Sequence, residues 1–302
     1  MRFVRLAALF ILAMLCVHSG RAQVVGQSVN MVTGTTWPGG DPFLERQNEP
    51  SMAISSRNAL HMVAGNNDYR TVDIPGIDAG EPTGDAWLGF FTSMDGGKTW
   101  QSTLVPGYPQ DSLPTGIASP LSINNPATHG GYNAAADATV RAGTNGMFYY
   151  SGIAFSRENT SISGGSAIFL ARYVDDNNYQ GANTVRYIDT HVLASYNSNV
   201  SPGYFADKPF LAVDIPRDSS TCTIPGNATV PAANIPAGRM YLAYTLFTGG
   251  EASNQSTIML TSSSDCGVTW STPQQISRDS KTNQGATLAI DPKNGNLYIA
   301  WR

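Results

Sequence analysis

SMDGGKTW, residues 93 to 100, follows the apolar run AWLGFFT, and SSDCGVTW, residues 263 to 270, follows the similar run STIMLTS. The two octapeptides agree at Ser93 and Ser263, Asp95 and Asp265, Gly97 and Gly267, Thr99 and Thr269, and Trp100 and Trp270. An Asp-x-Gly core suits a tight turn, because glycine accepts positive φ and an aspartate side chain can take hydrogen bonds from the amides of its own turn. Thr and Trp then open the returning strand, where β-branched and aromatic side chains fit. A carboxylate occupied by its own turn is a poor acid or base. Asp95 and Asp265 therefore read as fasteners of a hairpin.

Longer repeats surround these turns. EPSMAIS begins at Glu49, DATVRAG at Asp137, KPFLAVD at Lys208 and GATLAID at Gly285, so the starts lie 88, 71 and 77 residues apart. Each is followed by a turn and a second strand: ALHMVAG, GMFYYSG, RMYLAYT and NLYIAW. Third and fourth strands follow in the first three units, as in WLGFFTS with TWQSTLV. Four antiparallel strands per repeat predict an array of small sheets. The second unit lacks the octapeptide and keeps only Asp175 and Asp176 at that place.

The pattern SxDxGxTW resembles the Asp-box, or BNR, repeat of the sialidase superfamily of β-propellers. The resemblance implies an all-β propeller of four-stranded antiparallel blades, with each box on the hairpin between third and fourth strands, away from the active site. Sialidase-type rings usually close with six blades. On that reading the chain comprises a signal peptide over 1–23, a lead over 24–47 and a partial propeller over 48–302. Its blades cover 48–105, 134–194, 205–277 and 284–302, the last interrupted in its second strand, for about three and a half blades of an expected six. QSVNMVTG, residues 27 to 34, reads either as a leading strand that completes the outer edge of the final blade, whose partner is not in this chain, or as an edge strand or loose arm.

The signal assignment rests on Arg2 and Arg5 ahead of an apolar run from Leu6 to Val17, with small and polar residues after it. The chain is thus expected to be secreted or periplasmic. Without Arg2, Arg5 and Arg21 it holds 15 basic and 22 acidic residues, a net charge near −7, which argues against a nucleic-acid or acidic-membrane partner. Two cysteines survive processing. Cys222 lies in the first-to-second strand link of the third blade and Cys266 in its Asp box; both links share a face, so a disulfide is expected in an oxidising compartment. Asn159, Asn199, Asn227 and Asn254 lie in glycosylation sequons.

The opposite face carries the long loops, where function concentrates. At its channel mouth the blade pattern places Glu49, Asp137 and Asp207 as candidate catalytic carboxylates, with Arg46, Arg70, Tyr69, Tyr132, Tyr204 and Lys208 as candidate substrate-binding residues. The family uses a tyrosine with a glutamate base, an acid carboxylate and an arginine cluster for the substrate carboxylate. One departure stands out: where the family has Arg-Ile-Pro or Arg-Leu-Pro at the first blade, this chain reads QNEPSMA, with Glu49 before Pro50. The family's tyrosine, its glutamate partner and two arginines come from later blades, so residues 24–302 alone are expected to leave sialosides uncleaved.

No cofactor is implied and no metal motif occurs: His61, His129 and His191 are scattered, without zinc-ligand spacing. Asp68, Asp73, Asp78, Glu81 and Asp85 crowd one loop; calcium is the alternative there to a solvated acidic loop, the commoner outcome. The expected role is carbohydrate-directed, toward a glycan or glycoconjugate, as a sialidase-like glycoside hydrolase. The alternative class is a noncatalytic propeller that binds glycans or proteins.

Overall fold

The computed structural model describes residues 26, 28–32, 47–69, 86–127, 131–156, 164–176, 184–200, 202–249, 255–278 and 282–302, and all that follows concerns these. Three four-stranded antiparallel sheets follow one another along the chain. The first holds β1 (Gln47–Ile54), β2 (Met62–Asp68), β3 (Trp87–Ser93) and β4 (Gln101–Leu104) in that order. The second holds β5 (Ala134–Ala142), β6 (Met147–Phe155), β7 (Gly165–Asp175) and β8 (Val185–Asn197). In the third, β9 (Tyr204–Val213) leads to β12 (Met240–Thr248), β13 (Gln255–Ser263) and β14 (Gln274–Gln275), with a side hairpin of β10 (Thr221–Ile224) and β11 (Ala233–Pro236) inserted in the first link. A final pair, β15 (Thr287–Ile290) and β16 (Leu297–Ala300), follows. A one-turn helix, α1 (Pro114–Ile117), lies between the first and second sheets in sequence.

The leading strands pack against each other in turn, β1 on β5, β5 on β9 and β9 on β15. Sheets stacked about their first strands, each pairing outward in chain order, form the blades of a β-propeller. The middle blade has a neighbour on both faces, which explains why its strands read as continuous apolar runs. On β6, Phe148 and Tyr150 enter the core shared with the first blade, while Met147 and Tyr149 enter the core shared with the third. Phe90 of β3 stacks on Tyr173 of β7 with ring centroids 4.2 Å apart. Trp87 is fully buried and its indole N–H donates to the Val105 carbonyl at 2.8 Å. Burial of each such side chain contributes about 1.5–3 kcal/mol.

Both octapeptides, 93–100 and 263–270, close as turns in the way the residue pattern implies. In the first, Asp95 Oδ1 accepts the Ser93 hydroxyl and the Lys98 and Thr99 amides, each at 2.9 Å, and Oδ2 accepts the Thr99 hydroxyl at 2.6 Å. In the second, Asp265 accepts the Ser263 hydroxyl at 2.8 Å, the Thr269 amide at 2.9 Å and the Thr269 hydroxyl at 2.5 Å. Trp100 and Trp270 donate to the carbonyls of Gly97 and Gly267, both at 3.1 Å, and those glycines hold φ of 84° and 79°. Hydrogen bonds from Thr99, Ser93 and Lys98 pull the Asp95 carboxyl down to about 2. Against the upward push of its burial, the contacts from Thr269, Ser263 and Val268 hold Asp265 below its ordinary value.

The blade without a box is fastened differently. Asp175, fully buried, accepts the Ser55 hydroxyl at 2.5 Å and faces His61 Nδ1 at 2.9 Å, while Arg57 donates to its backbone carbonyl at 2.6 Å. Asp176 pairs with Arg186 at 2.8 Å. The second blade is thereby tied to the first instead of to its own turn. Cys222 of β10 and Cys266 of the second box are joined in a disulfide, with Cα atoms 5.9 Å apart.

Within QSVNMVTG, Met31 and Val32 form a turn in which the Val32 amide donates to the Asn30 side chain at 3.0 Å, and residues 27, 33 and 34 lie outside the described residues. Asp68, expected in the acidic loop, is instead the last residue of β2. The signal segment lies outside the described residues, and no helix among them is long and apolar enough to cross a membrane.

Replacing Asp265 by Ala is expected to cost about 1–3 kcal/mol, measured by chemical denaturation at neutral pH. Because its folded-state carboxyl is depressed, that deficit should fade as the pH falls below about 4. Replacing Cys222 and Cys266 together by Ser opens a loop spanning 44 residues and should cost about 4 kcal/mol in the chain-entropy account.

Candidate carboxylate site

All four leading strands break register at the same place. Between Asn48 and Ser51, between Ala136 and Thr139, and between Asp207 and Phe210, the leading strand carries one residue more than its partner. In the last blade Gln284 exchanges backbone hydrogen bonds with Arg302 and Thr287 pairs with Ala300, so the same extra residue is present. The extra residue is a bulge. Its leading position is left-handed each time: Glu49 at φ 55°, Asp137 at 63°, Lys208 at 52° and Gly285 at 64°. Non-glycine side chains are held there only where the surroundings over-determine the backbone, a condition that concentrates at functional sites.

The bulged amides of Asp137, Lys208 and Gly285 each find an acceptor on the neighbouring blade. Asn67 Oδ1 on β2 accepts the Asp137 N–H at 2.8 Å, and Thr245 Oγ1 on β12 accepts the Gly285 N–H at 3.3 Å. Asn67 and Thr245 hold equivalent positions, since they pair with Asn48 and Asp207. On β6 that position is Ile153, paired with Ala136, and it has no acceptor to offer. The Lys208 N–H instead reaches Asp137 Oδ2 at 3.1 Å and Asp207 Oδ1 at 2.8 Å.

This geometry gathers Glu49, Asp137 and Asp207 from three consecutive blades, at the strand ends opposite the Asp boxes. Asp137 is hydrogen-bonded to the side chains of both other carboxylates. Burial pushes its carboxyl up to about 8, and the hydrogen bond to Glu49 and the charges of Asp207 and Glu49 push in the same direction. Lys208 Nζ stands 3.6 Å from Asp207 Oδ2. Asn67 Nδ2 contacts Glu49 Oε2 at 3.1 Å, and Tyr69 meets Asn48 at 3.4 Å on the rim.

Of the remaining candidates, Arg46 and Arg70 lie outside the described residues. Tyr132 is removed from the set: its side chain is buried in the core between the first two blades, where its ring area is worth more than its hydroxyl at a surface, and burial raises its phenol. Tyr204 packs toward Tyr196, with centroids 6.4 Å apart, beside the core of the second and third blades. In the proposed calcium loop Asp68 is buried at the end of β2, and Asp73, Asp78, Glu81 and Asp85 lie outside the described residues. Among the described residues no group of three or more His, Cys, Asp or Glu is arranged to hold a metal. Asn48, Asn67 and Thr245 escaped sequence reasoning, because their importance follows from strand register.

No family model and no curated protein matches this sequence. Solved structures similar in arrangement include the α-L-arabinofuranosidase of Fusarium graminearum in complex with an iminosugar inhibitor (13% identity, TM-score 0.44, covering 84% of this chain and 61% of that one). A protein of unknown function from Dyadobacter fermentans follows (17%, 0.41, 85% and 62%), as does the α-L-arabinanase of Penicillium chrysogenum with arabinobiose (14%, 0.34, 85% and 75%). The chain spans about three-fifths of the first two. The fold assignment stands on the strand pairing above, independent of these likenesses.

Asp137 binds its proton more tightly in the folded state than in the unfolded chain, where the ordinary value is about 3.9. Its contribution to stability is therefore complete below about pH 4 and is lost as the pH rises through about 8. Asp137→Asn mimics the protonated form, so its melting temperature is expected to match the parent below about pH 4, to exceed it by a growing margin as the pH rises, and to level off above about pH 8.

Proposed function

We propose that this chain is the acid-bearing part of an exported propeller glycoside hydrolase. The observation that carries the reading is the carboxylate trio, in which the middle member is held protonated at neutral pH by burial and its two neighbours. A carboxyl of that kind is a general acid for a leaving alkoxide, and glycoside cleavage needs such an acid beside a second carboxylate. Asp137 fills the acid role. Glu49, which is exposed, is the carboxylate in reach of water or an anomeric carbon, and Asp207 with Lys208 closes the site from the third blade. The Cys222–Cys266 disulfide supports export to an oxidising compartment.

The Asp-box resemblance favours sialosides, whereas the electrostatics favour a neutral sugar. Glu49 stands where the resemblance leads one to expect an arginine, Asp137 beside it is neutral, and the one cation of the set, Lys208, is already paired with Asp207. A carboxylated substrate would meet like charge, so the reading is a neutral glycan, with sialic acid as the less favoured substrate.

The test is a panel of chromogenic neutral furanosides and pyranosides, with a sialoside included, assayed on the natively exported protein. Turnover of a neutral glycoside is expected, declining as the pH rises through about 8, with Asp137→Asn lowering kcat by about 10²-fold or more. A protein that retains glycan affinity but turns over no member of the panel is a noncatalytic binder, and the hydrolase reading falls. Sialoside turnover abolished by Asp137→Asn or Asp207→Asn would overturn the neutral-sugar assignment.

A further inference from the structure

We infer that Asn67 is the positioning residue of the carboxylate site, its single amide locking the Glu49 side chain to the Asp137 backbone across the first two blades. The inference rests on the reading of Asp137 as the acid. Asn67 Nδ2 donates to Asn48 Oδ1 at 2.8 Å and to Glu49 Oε2 at 3.1 Å, while Oδ1 accepts the Asp137 N–H at 2.8 Å. Both amide hydrogens and the carbonyl are thereby used. Asn67 is buried, so water does not readily replace any of the three. Because the amide is planar, a contact on one side sets the direction of the others, and the Glu49 carboxylate is delivered to a fixed place beside Asp137.

The equivalent positions show what a fastening role alone requires. Thr245 accepts the Gly285 amide and has no amide donors, and the bulge it serves bears no side chain. Ile153 makes no such bond at all, and the third bulge is satisfied by Asp137 and Asp207 instead. Fastening is therefore met by a hydroxyl or by a neighbouring carboxylate. The amide occurs where two carboxyl groups must be held together. The groups facing Asp137 are Glu49 from β1 and Asp207 and Lys208 from β9; Arg141 of its own strand is turned over the Phe210 ring, 4.9 Å from its centroid.

The experiment separates fastening from positioning with Asn67→Thr, which copies the Thr245 arrangement, and with Asn67→Asp, which keeps the acceptor but sets a carboxylate against Glu49. For the parent and each variant, the melting-temperature difference from its Asp137→Asn counterpart is followed from about pH 4 to about pH 10; it grows with pH and levels off at the Asp137 midpoint, which that break reports. Asn67→Thr is expected to melt close to the parent while the midpoint falls by about one pH unit, because Glu49 is released; Asn67→Asp is expected to raise it. A midpoint unmoved in the variant that folds would show Asn67 to be a fastener only and overturn the inference. The readout needs no substrate. A shifted midpoint in a protein that cleaves no glycoside upholds the positioning role and sinks the hydrolase reading; turnover with an unmoved midpoint does the reverse.

Discussion

Each leading strand carries one residue too many, and the consequences of that surplus organise the molecule. The bulged residue cannot pair with its own neighbour, and the amides of Asp137, Gly285 and Lys208 take acceptors from the blade beside them, from Asn67, Thr245 and Asp137 respectively, with Asp207 of its own strand as a second acceptor for Lys208. Adjacent blades are thereby tied at the same depth. The left-handed backbone at this point also redirects the side chain, and three of the four blades offer an ionisable group there: Glu49, Asp137 and Lys208. One backbone irregularity both joins the blades and assembles the site.

The opposite end solves a related problem by other means. A β3–β4 or β13–β14 link is a tight turn whose amides need acceptors, and Asp95 and Asp265 supply them within eight residues. The second blade replaces this local closure with a long-range one, in which Asp175 reaches Ser55 and His61 of the first blade. Local fasteners make each hairpin self-sufficient, while the buried Asp175 contacts bind two blades into one unit. The disulfide adds a third fastener on this face, joining the inserted hairpin to the second box.

That expense is visible at Asp137. Burial and two neighbouring carboxylates all disfavour its ionised form, and the fold tolerates the arrangement because Asn67, Lys208 and the bulge backbone constrain it from several sides. A group whose neighbours push its proton affinity away from theirs is how one fold obtains an acid and a carboxylate at the same pH.

The sequence by itself determined the strands and the boxes. Period-two alternation and an Asp-x-Gly turn are local properties, so residue pattern alone marks WLGFFTS as the strand Trp87–Ser93 and SSDCGVTW as a closed hairpin. It also brought Glu49, Asp137 and Asp207 to one rim, since repeated strands place equivalent residues at equivalent heights. What it could not determine was the register. Whether Asp137 donates its amide to Asn67 and whether Tyr132 faces the rim or the core depend on groups far apart in the chain. Only tertiary structure decided these, because hydrogen bonding and burial between blades have no signature in local residue pattern.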